Sequence, residues 1–239
     1  TSNFIVTQMD ENGASYDDVV VEAQRLGYAE SDPTMDVDGT DAAQKLAILA
    51  HLAFGATVDW AQIPRTGIDG LNPEDLLYAQ KLGYRIKLLA IANLAKDGLE
   101  LSVSPTLVPV GTPLAEVRDA YNAIQVIGVA VGPVFYHGLG AGQMPTASAV
   151  AAALIDTAVG RTRLTFQTLE YFSINQPPRV KLRDGDTSTG RYYFRLSVSN
   201  HPGTLASIAA VLAQHGISIA SVIQHEGREG GPQRDPVPL

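Results

Sequence analysis

Apolar positions along this chain change period several times, and each change marks an element. Over 15–26 they recur at helical spacing, with Ser15 and Asp18 set out as a capping box with a short acid and Gly27 as a C-terminal stop. A loop occupies 28–39. Thr40 is placed to cap a helix that runs to Phe54 and stops at Gly55. Asn72-Pro73-Glu74-Asp75 opens a third helix, with proline in its first turn and acids beside its N-terminus, and Gly83 ends it. The period then shortens. Residues 84–93 read as a buried strand, Lys96-Asp97-Gly98 as a hairpin turn and 99–103 as an alternating strand. The Val/Ile-rich stretch 122–135, broken by Gly128 and Gly132, reads as two short strands. A glycine-rich loop over 137–143 and an alanine-rich helix over 146–159 follow. This irregular alternation predicts an α/β (α+β) domain, a mixed β-sheet covered by helices.

Asn175-Gln176-Pro177-Pro178 and the polar run 183–188 break the pattern, so a flexible linker is expected over 175–190, between domains at 1–174 and 191–239. The second domain reads as one βαβ unit. It has a strand over 192–199, a helix over 203–214 with Leu205, Ile208, Ala209 and Leu212 on one face, and a strand over 217–223 after Gly216.

Composition narrows the classes. With 239 residues, 45% hydrophobic and 18% charged, the chain can bury a core as one large domain or two smaller ones. A formal charge of −8 argues against a general nucleic-acid or anionic-membrane surface. The absence of cysteine excludes disulfides, thiol nucleophiles and cysteine metal sites, and makes the cytoplasm the default compartment. The longest apolar stretches reach about half the ~20 residues that span a bilayer, and no basic segment opens the chain as a secretory signal would. The chain opens on Thr1 without methionine and closes on Asp235-Pro236-Val237-Pro238-Leu239, which reads like the approach to a strand that does not arrive. Both ends suggest a piece of a longer protein.

Glu30, Asp32, Asp36, Asp38 and Asp41 fall within twelve residues, and Lys45 lies one helical turn past the last of them. Two readings stand open. In the first, the pair Asp41–Lys45 belongs to a solvated face shared with Gln44 and His51, where it contributes only ~0.3–0.5 kcal/mol. Alternatively, 42–54 is apolar almost all round, as a buried helix is, and the lysine then faces a cleft where desolvation and a carboxylate neighbour tune it as an acid or base. The remaining acids could then hold a cationic group such as an α-ammonium. A calcium loop fits poorly: after Asp36-x-Asp38 the glycine comes too early, and position twelve is Ala47 rather than glutamate. The stretch His137-Gly138-Leu139-Gly140-Ala141-Gly142 also has two readings, a tight strand-to-helix turn or a close backbone approach to a ligand at a helix N-terminus. Its G-x-G-x-G spacing is not the dinucleotide fingerprint. The five histidines lack zinc spacing, no nucleophile elbow or Walker loop is present, and Trp60 reads as core or interface.

Five blocks, in order, resemble homoserine dehydrogenase: Thr1-Ser2-Asn3-Phe4-Ile5; Arg25-Leu26-Gly27-Tyr28-Ala29-Glu30-x-Asp32-Pro33; Asp36-x-x-Gly39-x-Asp41-Ala42-x-x-Lys45-Leu46; Gly83-Tyr84-x-Ile86-Lys87-Leu88; and Gly138-x-Gly140-Ala141-Gly142-x-x-x-Thr146-Ala147. The final unit, with Ser199-Asn200-His201-Pro202-Gly203-Thr204-Leu205 and His215-Gly216-Ile217-Ser218-Ile219, resembles an ACT domain of ferredoxin-like topology, of which only the first βαβ is covered. The resemblance implies a substrate and dimerisation domain whose NAD(P)-binding Rossmann domain is absent from this sequence. It implies Lys45 as acid/base at the substrate oxygen with Asp41 beside it, Glu30 on the substrate ammonium, and Tyr28, Thr1 and Asp36 in the same pocket. Gly138, Gly140 and Gly142 would contact the cofactor. No metal ligand is implied in this stretch. The implied partners are an amino-acid substrate, a threonine-type effector at the ACT unit and a second copy of the chain, with no nucleic acid and no membrane. The rival class is a non-catalytic amino-acid-sensing or assembly module whose acidic cleft only binds.

Overall fold

The computed structural model describes residues 1–164, 180–183, 190–199, 201–224 and 236–238. The chain divides into two compact units, Thr1–Ser188 and Thr189–Leu239.

The first unit opens on a helix that periodicity does not reveal. Helix α1, Ser2–Asn12, contains β-branched Ile5, Val6 and Thr7 and two asparagines, all poor helix formers. Burial compensates: Phe4, Ile5, Val6 and Met9 are almost wholly enclosed, so the helix is apolar on several sides at once. Helix α2, Tyr16–Arg25, follows with the expected cap, the Ser15 side chain accepting from the Asp18 N–H. A four-residue turn, α3 (Thr34–Val37), interrupts the acidic loop, and α4 (Thr40–Phe54) follows. Thr40 is not the N-cap. Gly39 takes that place at φ 84°, and the Asp38 carboxylate accepts from the Thr40 N–H at 2.7 Å and hydroxyl at 2.9 Å. Helix α5, Pro73–Lys81, starts as expected, with Asn72 capping the Glu74 N–H.

Strands β1 (Tyr84–Ala95) and β2 (Gly98–Pro109) form a long antiparallel hairpin that turns at Lys96-Asp97, with Ala95 opposite Gly98. β2 runs past the alternating segment and through Pro105, which pairs with Leu88. A two-stranded sheet has an open edge on each strand, where a missing N–H is tolerated. β1 is less buried than its apolar run suggests: Ile86 and Lys87 are enclosed, while Ile91 and Leu94 are exposed. One face of the hairpin packs on the helices. One core joins α1, α2 and α5 to Ile86, and another joins Ala43, Leu46 and Ala50 of α4 to Leu99, Leu101 and Val103 of β2.

Strands β3 (Tyr121–Gly128) and β4 (Gly132–Leu139) make a second antiparallel hairpin with the two glycines at its turn, as expected. β4 extends through His137 and Gly138, opposite Ala123 and Asn122, so the glycine-rich loop starts later than its composition suggests. Helix α6, Gln143–Ala158, begins before Pro145 because a proline in the first turn needs no N–H partner. The α+β class therefore holds, but the strands of this unit pair as separate antiparallel hairpins rather than one mixed sheet. Local two-strand turns join each pair, and among the described residues no long crossover brings the hairpins together.

Part of the expected linker is held. Leu99 donates to the Lys181 carbonyl at 2.8 Å, Arg183 donates its N–H to the Leu99 carbonyl at 3.0 Å, and the Arg183 guanidinium pairs with Asp97 and Glu100. Residues 175–179 and 184–189 lie outside the described residues.

In the second unit β5 is only Ser197–Ser199, and α7, Thr204–Gln214, turns Ile208, Ala209 and Leu212 to its more covered side, while Leu205, expected on the same face, is exposed at the first turn. The expected strand over 217–223 does not form, because none of the described residues offers it a ladder. Instead β6, Pro236–Pro238, pairs antiparallel with β5, so the terminal run does arrive as a strand. A first strand that pairs with a later segment is the arrangement of a split βαβ unit. Asn200 lies outside the described residues.

Candidate active site

The start of α1 organises the site. The Thr1 hydroxyl donates to the Tyr28 carbonyl, and the Ser2 hydroxyl donates to the Asp36 carbonyl at 2.6 Å. The acidic loop is thereby fastened at two points to a helix whose Phe4, Ile5, Val6 and Met9 are core. Tyr28 packs its ring at a tilt of 53° against buried Phe4, centroids 5.2 Å apart. The Thr1 backbone nitrogen is mostly buried and lies within electrostatic reach of Asp36, Lys45 and Asp41. Thr1, Tyr28 and Asp36 are thus brought together, with Asp41 and Lys45 within electrostatic reach. Glu30 is exposed on the same loop, whose backbone is held by the Gln24 amide donating to the Glu30 and Ser31 carbonyls at 3.1 and 3.2 Å.

Asp41 and Lys45 pair across one turn of α4 at 2.5 Å. The expectation that this helix is buried all round does not hold in this chain. Ala43, Leu46 and Ala50 are buried, while Ile48 is 61% exposed and the Lys45 side chain 63% exposed. A helix laid on one face of a hairpin covers one stripe, and among the described residues nothing covers the opposite stripe. Lys45 therefore carries its charge on an open surface, fixed in direction by Asp41. Among the other acids, Asp38 is occupied as the turn that starts α4, and Asp32 caps Thr34.

The glycine-rich turn is built for close approach. A Cβ on Gly140 would lie 1.8 Å from the Asn122 amide nitrogen, and Gly142 has φ 117° at the N-cap of α6. Gly138, by contrast, has open space around it. Gly142 gives the sixteen-residue α6 no side-chain cap, and Met144 in its first turn is exposed. That suits a polar or anionic ligand group. Trp60 is neither core nor buried: it is partly exposed, with the Arg65 guanidinium 5.5 Å above its ring.

Around this turn the surface is apolar. Ile127, Val129, Val131 and Tyr136 of the second hairpin and Met144, Leu154 and Ile155 of α6 are exposed, and α6 buries no residue at all. Among the described residues no helix is long and apolar enough to cross a membrane. Sequence reasoning missed the role of α1, Ser2 and Asn3, because the polar residues that fasten the loops sit within a stretch of weak helix propensity.

The chain is similar to known proteins over most of its length. The homoserine dehydrogenase family profile matches residues 1–155, and the ACT domain profile matches 192–235. Homoserine dehydrogenase of Pseudomonas aeruginosa is 42% identical over 234 residues, which is 96% of this chain and 53% of that protein. The Neisseria gonorrhoeae enzyme is 44% identical over 227 residues, 94% of this chain and 52% of that protein. The crystal structure of a homoserine dehydrogenase from Thiobacillus denitrificans superposes with a TM-score of 0.76 at 41% identity, covering all of this chain and 54% of that one. A hyperthermophilic archaeal homoserine dehydrogenase mutant solved in complex with NADPH matches at TM-score 0.52 and 29% identity, over 66% of this chain and 44% of that one. The chain spans about half the length of the curated relatives it matches.

Proposed function

The chain belongs to the homoserine dehydrogenase family and carries an ACT domain, and on that premise we propose that its parent protein interconverts L-homoserine and L-aspartate 4-semialdehyde with NAD(P). This chain would be the substrate and dimerisation half, acting in the cytoplasm in the branch that leads to threonine, methionine and isoleucine. The observation that carries the reading is the convergence of Thr1, Tyr28 and Asp36 at the start of α1, beside the Asp41–Lys45 pair.

The chemistry follows from those side chains. When bound, the nicotinamide supplies or accepts the hydride. In the reductive direction the aldehyde carbon gains that hydride and its oxygen gains a proton. The Lys45 ammonium stabilises the developing alkoxide and donates the proton, a role worth roughly 10²–10⁴-fold in rate. Asp41 pairs with the lysine and keeps it extended. Glu30 takes the substrate ammonium, while Thr1, Tyr28 and Asp36 shape the pocket wall. Gly140 and Gly142 fit a cofactor contact, since the turn is tight and the N–H groups that follow it are uncapped. Gly138 has no comparable requirement and lines the approach. The greater part of the dinucleotide would be held by a Rossmann domain outside this chain.

Assembly follows the apolar surface. The second hairpin, with Ile91 and Leu94 of β1, presents more apolar area than the neighbouring helices cover, and a second copy of the chain is the proposed cover. The ACT unit would bind an amino-acid effector, with threonine the first candidate.

Full-length protein mixed with homoserine and NADP⁺ should produce the reduced-nicotinamide absorbance. Homoserine binding without any turnover, across a range of pH and salt, would replace this reading with the non-catalytic sensing module.

A further inference from the structure

Lys87 is buried, at 7% exposure, and unlike the enclosed Asp10 carboxylate, which pairs with Arg85, it has no ion-pair partner among the described residues. It donates instead to the Val117 carbonyl and, at 3.0 Å, to Asn3 Oδ1. A buried ammonium held only by neutral acceptors is costly, which marks it as doing something other than packing.

Its effect falls on Asn3. Lysine can only donate, so it fixes the carboxamide with Oδ1 toward Nζ and turns Nδ2 the other way. Asn3 Nδ2 then donates to the carbonyls of Tyr121 at 2.8 Å, Asp119 at 3.2 Å and Val117 at 3.3 Å. The same segment is gripped again from α1, where Thr7 Oγ1 accepts from the Asp119 N–H at 3.2 Å and the Gln8 amide donates to Asp119 Oδ1 at 3.1 Å. Asp119 itself sits at φ 52°, a left-handed conformation that its surroundings must hold in place.

This segment carries the glycine-rich turn, because the Gly140 N–H donates to the Ala120 carbonyl at 3.2 Å and Tyr121 pairs with Leu139. On the other side, Thr1 and Ser2 hold the acidic loop at Tyr28 and Asp36. Three consecutive side chains in one helical turn therefore grip both partners of the proposed reaction, Thr1 and Ser2 on the substrate side and Asn3 on the cofactor side. Since α6 buries no residue, little else among the described residues fixes that distance.

We propose that Asn3 and Lys87 are positioning residues: a clamp that sets the glycine-rich turn at a fixed distance from the acidic loop, and so sets the hydride-transfer geometry. The proposal rests on the dehydrogenase reading given above. A misplacement of about 1 Å can cost ~10²-fold in rate without loss of binding.

The test uses full-length protein carrying Lys87→Met and Asn3→Leu, singly and together, with Asn3→Asp as a variant that keeps a partner for the lysine but loses the donors to the three carbonyls. Each single variant should lose about tenfold or more in kcat, with KM for homoserine and NADP⁺ within about threefold. The double should lose little more than either. The deuterium isotope effect on kcat, read with homoserine deuterated at its reacting carbon, should rise as hydride transfer becomes limiting. Folded variants with wild-type kcat and isotope effect, or losses that simply add, would overturn the clamp. If the wild-type protein does not turn homoserine over, the reaction reading fails separately. The clamp then stands or falls on amide exchange: Gly140 and Asp119 should exchange at least tenfold faster in Lys87→Met, and unchanged exchange would overturn it.

Discussion

Lys45 shows how exposure changes the meaning of a charged pair. An exposed Asp–Lys pair on a helix contributes only ~0.3–0.5 kcal/mol, so Lys45→Ala in the full-length protein should leave the melting temperature nearly unchanged. Turnover should nonetheless fall by at least about two orders of magnitude, and arginine should restore little of it, because its fork differs in shape and stays protonated. Near-normal kcat in Lys45→Ala would remove the residue from the mechanism. Lys87 is the opposite case. Burial pulls its pKa down to about 8, with Asp10 and Glu11 opposing the shift and Arg85 and Arg118 adding to it. Between that value and the ordinary lysine value the unfolded chain binds the extra proton, so this group makes stability rise with pH across that window. Chemical denaturation from pH 7.5 to 10 should show a steeper rise in wild type than in Lys87→Met; parallel curves would contradict the burial argument.

At the scale of elements, the start of α4 and the whole of α1 depend on different forces. Asp38 holds Thr40 through two hydrogen bonds, so Asp38→Ala should cost about 1 kcal/mol of stability, read from denaturant midpoints. Asp38→Asn keeps one of the two acceptors and should be mild for turnover. Helix α1 has no propensity to spare and is held by burial. Ile5→Ala, at a fully enclosed position, should cost about 2–5 kcal/mol. Because α1 carries Thr1, Ser2 and Asn3, that loss should reach activity as well as stability. A folded Ile5→Ala protein with unchanged stability would show that the helix is anchored elsewhere.

At the scale of the whole molecule, the exposed apolar strands and α6 call for covering partners. Light scattering on the 239-residue chain should give a mass that shifts from about 25 kDa toward twice that value as concentration rises. A constant mass near 25 kDa would refute a dimer through this surface. The same chain should show no dehydrogenase activity and bind NADP⁺ only weakly, because the pyrophosphate and adenosine contacts that dominate dinucleotide binding belong to a Rossmann domain. Micromolar NADP⁺ affinity measured by calorimetry on this chain would contradict that division of labour.

Much of this was legible in the chain because it depends on local chemistry. The capping of α2 and α5, the Lys96-Asp97 turn, the paired glycines of the second hairpin and the one-turn spacing of Asp41 and Lys45 each follow from a few neighbouring residues. The motif blocks likewise placed the chain in its family. Tertiary structure decided what depends on distant partners. It made a helix of 2–12 despite weak propensity, since burial outweighs intrinsic preference. It left Lys45 open, because one hairpin face covers one helical stripe. It carried β2 through a proline, pinned Arg183 to Asp97 and Glu100, and left 217–223 without strand pairing while 236–238 found it. The contact of Asn3 with Lys87 and with Tyr121, 84 and 118 residues away, has no local signature at all. It exists only because α1 lies across both hairpins, and that packing brings the acidic loop and the glycine-rich turn onto one helical turn.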